Sequence, residues 1–129
     1  MVAKIRQQKI AERIREEVSE LLIGELTDPR VLGITVTDVT VDRELAFATI
    51  FVASFDGSDR KAEILEGLDN ARGFIRYQLS QRIDLRSFPQ VRFKWDPTPE
   101  RAERIEKLFD VLAQEEKQNQ ENPSDDAHS

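Results

Sequence analysis

Apolar residues near the start of the chain recur at Ile10, Ile14, Val18, Leu21 and Leu22, the spacing of one face of a helix. The pattern predicts an amphipathic helix over residues 5–26, with Arg6, Lys9 and Arg13 on a neighbouring stripe. Thr27-Asp28-Pro29 ends it, because the residue before a proline avoids the α region. The period then shortens to two. Ile34 and Val36 alternate with threonines, and the phase slips so that Val39 and Val41 carry it, which marks Asp38 as a bulge. Residues 45–53 are apolar on both faces, Phe47 and Phe51 on one and Ile50 and Val52 on the other, as in a strand buried on both sides. Asp42-Arg43-Glu44 between the two runs is turn-like, so a β-hairpin is expected with its second strand central.

Asp56-Gly57-Ser58-Asp59 reads as a loop and helix entry, with helix over about 59–71 and again over about 73–84. A third strand follows at 90–95, where Val91, Phe93 and Trp95 alternate with Arg92 and Lys94. Thr98 as N-cap and Pro99 at the first helical position open a last helix to about residue 116, with Ala102, Ile105, Leu108, Phe109 and Leu112 on its apolar face. The order is α-β-β-α-α-β-α. A helical crossover puts strands two and three parallel and adjacent, and the hairpin places strand one antiparallel on the other side. Helices then cover one face of a three-stranded mixed sheet, an α+β domain over residues 1–116. Residues 117–129 are polar without periodicity and are expected to form a disordered tail.

The break between the two central helices falls at Asn70-Ala71-Arg72-Gly73. Glycine inside a helix costs about 1 kcal/mol against alanine, so it is expected to serve a purpose there. A kinked helix pair would let another backbone approach Gly73 closely. It would also expose the N–H groups of a helix start, which bind phosphate, beside Arg72 and Arg76. A plain helix–helix corner with a solvated charged face accounts for the same spacing.

Charge sharpens this picture. The net charge of the 129-residue chain is −6, yet residues 72–94 carry Arg72, Arg76, Arg82, Arg86, Arg92 and Lys94 against Asp84 alone. Residues 1–15 carry Lys4, Arg6, Lys9, Arg13 and Arg15 against Glu12. Screening over about 8 Å at physiological salt makes these local excesses, not the total, decide contacts. The absence of cysteine excludes disulfides and thiolate metal sites, and the single histidine, His128, lies in the expected tail, too far from any fixed geometry for catalysis. No catalytic residue, metal ligand or cofactor is expected. The Asp56/Asp59 pair reads as loop polarity and a cap, and Phe93 and Trp95 read as core. Tyr77 is the one aromatic near the junction with a choice between facing outward and covering the core edge. The charged N-terminus has no apolar segment of a secretory signal and no run is long enough to span a membrane, so a cytoplasmic protein, monomeric by default, is expected.

Several separated stretches together resemble bacterial ribosome-binding factor A proteins, of the type II KH-like fold: the Arg-rich first helix running into Leu26-Thr27-Asp28-Pro29-Arg30, Ile34-Thr35-Val36-Thr37-Asp38-Val39, Ala48-Thr49-Ile50-Phe51-Val52, Ala71-Arg72-Gly73-Phe74-Ile75-Arg76 with Leu79, the Pro89 strand entry, and Arg92-Phe93 before Asp96. The resemblance spans residues 3–112. KH domains clamp about four nucleotides with a Gly-x-x-G loop. Here Ala71-Arg72-Gly73 has alanine in place of the first glycine and is one residue shorter, which matches the factor's Ala-x-Gly kink and favours a structured RNA surface over a sequence-specific grip. Glu44-Leu45 stands where such proteins usually have Asp-Leu.

The resemblance implies a non-enzymatic assembly factor. Such a protein binds the small ribosomal subunit and its ribosomal RNA, assists late maturation and 5′-end processing of that RNA, and supports growth in the cold. Ribosomal proteins and a release GTPase are further candidate partners. The residues expected at the RNA are Asn70, Ala71, Arg72, Gly73 and Arg76 at the junction, Arg82, Arg86, Arg92 and Lys94 as phosphate partners, and Lys4, Arg6, Lys9 and Arg13 along the first helix. A protein–protein module without RNA contact is the alternative.

Overall fold

The computed structural model describes residues 2–26 and 28–121. It divides into two units, residues 1–96 and 97–129. In the first unit, helix α1 (Val2–Gly24) leads through a 3-10 turn at Pro29–Val31 to strand β1 (Ile34–Val41) and strand β2 (Phe47–Ser54). A second 3-10 turn at Gly57–Arg60 enters helix α2 (Lys61–Arg82), and strand β3 (Gln90–Trp95) closes the unit.

The sheet order is β1-β2-β3, with β1 antiparallel and β3 parallel to the central β2, as the crossover argument requires. The register of β1 slips between Val36 and Asp38, which makes Thr37 the extra residue of a bulge. Its hydroxyl donates to Asp96 Oδ2 at 2.7 Å, while Asp38 Oδ1 accepts from the N–H of Val39. The hairpin turn is held by Asp42, whose Oδ1 accepts from the N–H groups of Ala46 and Phe47 at 2.7 and 2.9 Å. Leu45 takes a left-handed conformation there (φ 57°), held by partial burial against the core.

One face of the sheet builds the core. Val36, Val39, Ala48, Ile50, Val52 and Val91 pack against Ile14, Val18 and Leu21 of α1 and Ile64, Leu68, Ile75 and Leu79 of α2. The predicted stripe of α1 is buried at all five positions, and Phe93 and Trp95 pack on the cluster's margin. The other face of β2 is only partly screened. Thr49 and Ala53 are buried, but Phe47 is exposed, which corrects the expectation of a strand buried on both sides along its whole length.

The break into two helices is also corrected. Residues 70–73 lie inside α2, which runs unbroken over twenty-two residues, so the element order has one fewer helix. The reason lies in the phase of the buried stripe. Ile64, Leu68, Ile75 and Leu79 are all fully buried, and the step of seven residues across the glycine keeps them on one face. Burial of residues on both sides offsets the helix-propensity cost of about 1 kcal/mol at Gly73. Phe74, next to Gly73, is exposed.

The glycine that the packing requires is Gly67. A Cβ there would lie 3.1 Å from Cβ of Arg30 and 3.2 Å from Cγ1 of Val31, so its absence lets α2 meet the Pro29–Val31 turn. That turn is fixed from two sides. Asp28 accepts from the N–H and the guanidinium of Arg30, and Arg60 donates to the carbonyls of Pro29, Arg30 and Leu32. The side-chain hydrogen bond from Arg30, aided by its backbone N–H, holds the Asp28 carboxyl below its ordinary pKa, and the same bond holds Arg30 above its own.

The second unit, by itself, is helix α3 (Thr98–Glu121). It continues past the expected end near residue 116 because Gln, Glu and Lys there are good helix formers and the next breaker is Pro123. Glu100–Arg104 and Glu103–Lys107 pair along it at 3.0 and 3.2 Å. Its apolar positions Ile105, Leu108, Phe109 and Leu112 are exposed. The expected tail from residue 122 onward, with His128, lies outside the described residues. No helix among the described residues is long and apolar enough to cross a membrane.

Candidate nucleic-acid interface

The thirteen residues expected at an RNA surface separate into those whose side chains the fold already engages and those left open. Arg76 belongs to the first group. Its guanidinium donates to the carbonyls of Phe88 and Pro89 at 2.7 and 3.1 Å and so ties α2 to the entry of β3. Arg82 pairs with Glu17 at 3.2 Å, with Glu20 at 3.6 Å and with Glu25. Burial works against its charge, but the hydrogen bond to Glu17 and the charge of Glu25 more than offset this and hold its pKa above the ordinary value. Arg13 pairs within α1 with the same Glu17, a residue only 9% exposed, and also donates to the carbonyl of Arg82 at 3.5 Å, which joins α1 to the end of α2. These three cations serve the fold before any partner.

The open group is spread over α1, α2 and the loop before β3. Asn70, Arg72 and Gly73 are exposed, and Ala71 packs partly on the core. Arg72 lies one turn before Arg76 on the same side of α2. A Cβ at Gly73 would meet nothing within 4 Å, so the space beside this position is open. The phosphate-binding helix start expected there is overturned. With α2 continuous, the N–H groups of residues 70–76 are spent inside the helix. Phe74 and Tyr77 flank the glycine as exposed aromatics, so Tyr77 faces outward.

Lys4, Arg6 and Lys9 are exposed on α1, and Arg86 is exposed in the loop after α2. The fold brings Arg6 and Arg86 to one cleft of about 530 Å³, which is also lined by Glu44, Leu45, Ala46 and Ser87. The two basic stretches of the sequence, eighty residues apart, meet here. Lys4 lines a second cleft of about 550 Å³ between α1 and β1, with Gln7, Val41 and Arg43. Gln7 donates to the carbonyl of Val41 across it at 3.1 Å. Among the described residues, no hydrogen bond or ion pair engages the side chains of Lys4, Arg6, Lys9, Arg72, Arg86 or Lys94.

Arg92 and Lys94 stand on the open face of the sheet, as the alternation predicts. Arg92 donates through Nε to Thr49 Oγ1 at 2.9 Å, and its guanidinium carbon lies 4.6 Å from the centre of the Phe47 ring. Sequence reasoning missed Phe47 because an apolar strand start reads as core. The available signal was position: Phe47 pairs with Gln90, outside the apolar inner row. No group of three or more metal-ligating side chains occurs among the described residues.

Known proteins resemble this chain in sequence and in fold. The family model of ribosome-binding factor A matches residues 6–109. Ribosome-binding factor A of Finegoldia magna is 38% identical over 112 residues, covering 85% of this chain and 93% of that protein. The factor of Alkalilimnicola ehrlichii is 37% identical over 122 residues, 94% of each. In fold, the crystal structure of ribosome-binding factor A from Thermus thermophilus aligns with a TM-score of 0.63 at 20% identity, over 69% of this chain and 93% of that one. Coordinates of the Thermus thermophilus factor fitted into a cryo-EM map of its 30S complex align at 0.54 and 23% identity, over 64% and 87%. With a sequence match running from the first helix into the last and the same α+β fold beneath it, the chain belongs to the ribosome-binding factor A family.

Proposed function

We propose that this protein binds the small ribosomal subunit through its ribosomal RNA, in the cytoplasm and as a monomer, and assists late maturation of that RNA, including processing of its 5′ end and growth in the cold. It acts by binding and not by catalysis. It favours one RNA arrangement by differential affinity and leaves when that arrangement changes, with a GTPase as the partner that drives release. Family membership supports the ribosomal reading. The observation that carries the RNA contact is the convergence of Arg6 and Arg86, both exposed and unpaired among the described residues, on one cleft, with Arg72 and Lys94 as further open cations. Guanidinium groups without a carboxylate partner keep their donors for phosphate.

The test is binding to purified small subunits across a salt series, with Arg6→Glu plus Arg86→Glu as the variant. The wild type is expected to lose affinity steeply with salt. The double variant should bind more than tenfold more weakly, with a log–log salt slope reduced by about 2, one per lost phosphate contact. Accumulation of 5′-extended precursor RNA in cells carrying only the variant, strongest in the cold, is the corresponding cellular readout. Unchanged affinity and slope would remove the RNA reading and leave a protein–protein contact with the subunit.

A further inference from the structure

We infer that the open face of the sheet, at Phe47 and Arg92, is a stacking platform for an unpaired RNA base, with the Arg6–Arg86 cleft taking the adjoining phosphate. This rests on the ribosomal RNA reading above and adds where and how a single-stranded segment is held.

The ring of Phe47 is 42% exposed, although Thr49 and Ala53 on the same face of β2 are screened to 6% and 4%. Its backbone is fixed from both sides. Asp42 Oδ1 accepts from its N–H, and on the β3 side the N–H of Gln90 donates to the preceding carbonyl, Ala46, at 2.8 Å. An exposed aromatic on an immobile strand start is pre-organised for contact.

Arg92 completes the surface. Its Nε is satisfied by Thr49, which sets the guanidinium over the Phe47 ring, and no carboxylate pairs with its remaining donors among the described residues. Ring and guanidinium both offer planar faces of the kind on which unpaired bases stack. Lys94 lies two residues on, on the same face and without a partner among the described residues, in register with Phe51. The acids beside this face are turned to other groups: Asp38 Oδ1 accepts from the N–H of Val39, Asp42 Oδ1 from the N–H groups of Ala46 and Phe47, and Asp96 Oδ2 from the hydroxyl of Thr37. Arg92 and Lys94 are the exposed charges here that no carboxylate pairs with among the described residues, which favours an anionic partner.

The cleft and the platform are continuous along the chain. Ala46 lines the cleft and is followed directly by Phe47. A base on the platform thus leaves its phosphate at the side where Arg6 and Arg86 stand. A duplex cannot use this site, because its bases stay stacked on each other. A protein partner would leave Arg92 and Lys94 without phosphate and fits the charge less well.

The test uses the full chain and a short fluorescein-labelled single-stranded RNA of mixed sequence, with binding read by anisotropy, alongside binding to small subunits. Phe47→Ala should weaken RNA binding roughly 5- to 100-fold with the salt slope unchanged, because a stack and not a charge is lost. Phe47→Tyr should bind like wild type, which separates loss of stacking from loss of fold, and Phe47→Trp should be quenched on RNA addition. Wild-type RNA affinity in Phe47→Ala, or no quenching in Phe47→Trp, would overturn the platform. If that occurs while Arg6→Glu plus Arg86→Glu still loses small-subunit binding, the ribosomal reading stands without it. If Phe47→Ala weakens binding to subunits but not to RNA, the face meets a ribosomal protein and the platform is again overturned.

Discussion

At Gly67 an added Cβ would press on Arg30 and Val31, whereas at Gly73, less than two turns further along α2, it would meet open space. The same contrast runs through the neighbours of each glycine. The Pro29–Val31 segment that Gly67 packs on is itself held by Asp28 on Arg30 and by Arg60 at the start of α2, while Arg72, Gly73, Phe74 and Tyr77 are all exposed. One helix thus has a turn that the fold needs and a turn that it does not. Residue type alone does not separate them, because glycine and arginine occur in both. The fold consumes the donors of one set and leaves the other for a partner.

Substitutions can break this contrast, and the core beneath it bounds the scale. Ile75→Ala, at a fully buried position two residues past Gly73, should cost about 2–5 kcal/mol in urea unfolding, because the helix crosses the open turn on that contact. Gly67→Val should destabilise by about 1–3 kcal/mol, since the Arg30 Cβ and Val31 it strikes sit next to backbone and have little room to move. Gly73→Ala should do the reverse and raise stability by about 0.5–1 kcal/mol, as measured by the same unfolding curves. If Gly73→Ala destabilises, the turn is not open and the comparison fails.

The smallest effect is one of pH. The carboxyl of Asp28 is held below its ordinary value of 3.8 in the folded protein. Its contribution is therefore fully present above that value and lost as pH falls through the lower folded one. Asp28→Asn should lower the melting temperature slightly at neutral pH and narrow the gap between melting temperatures at neutral pH and at about pH 3.

Much of this was legible in the chain because burial writes a period into sequence. The stripe of α1 from Ile10 to Leu22 and the alternation of Val91, Phe93 and Trp95 with Arg92 and Lys94 each have a single good reading. Thr37 at the bulge was legible to within a residue, since a phase slip marks the place but not which residue is extra. The continuity of α2 is hidden in the sequence because Gly73 reads as a break, whereas the buried phase of Ile64, Leu68, Ile75 and Leu79 carries across it. The site was less legible for a different reason. Whether an arginine is available depends on carboxylates far away in sequence, as Arg82 shows with Glu17, sixty-five residues earlier. Local charge counts place Arg76 and Arg82 with Arg72 and Arg86, and only the folded chain separates them.

The three carbonyls gathered by Arg60 carry a consequence for how the chain is made. Pro29, Arg30 and Leu32 have their oxygens closed by a side chain twenty-eight to thirty-one positions later. As the polypeptide leaves the ribosome, the link between its first helix and first strand therefore stays unfinished until residue 60 has emerged, and the early segment waits on the hairpin to bring its clasp.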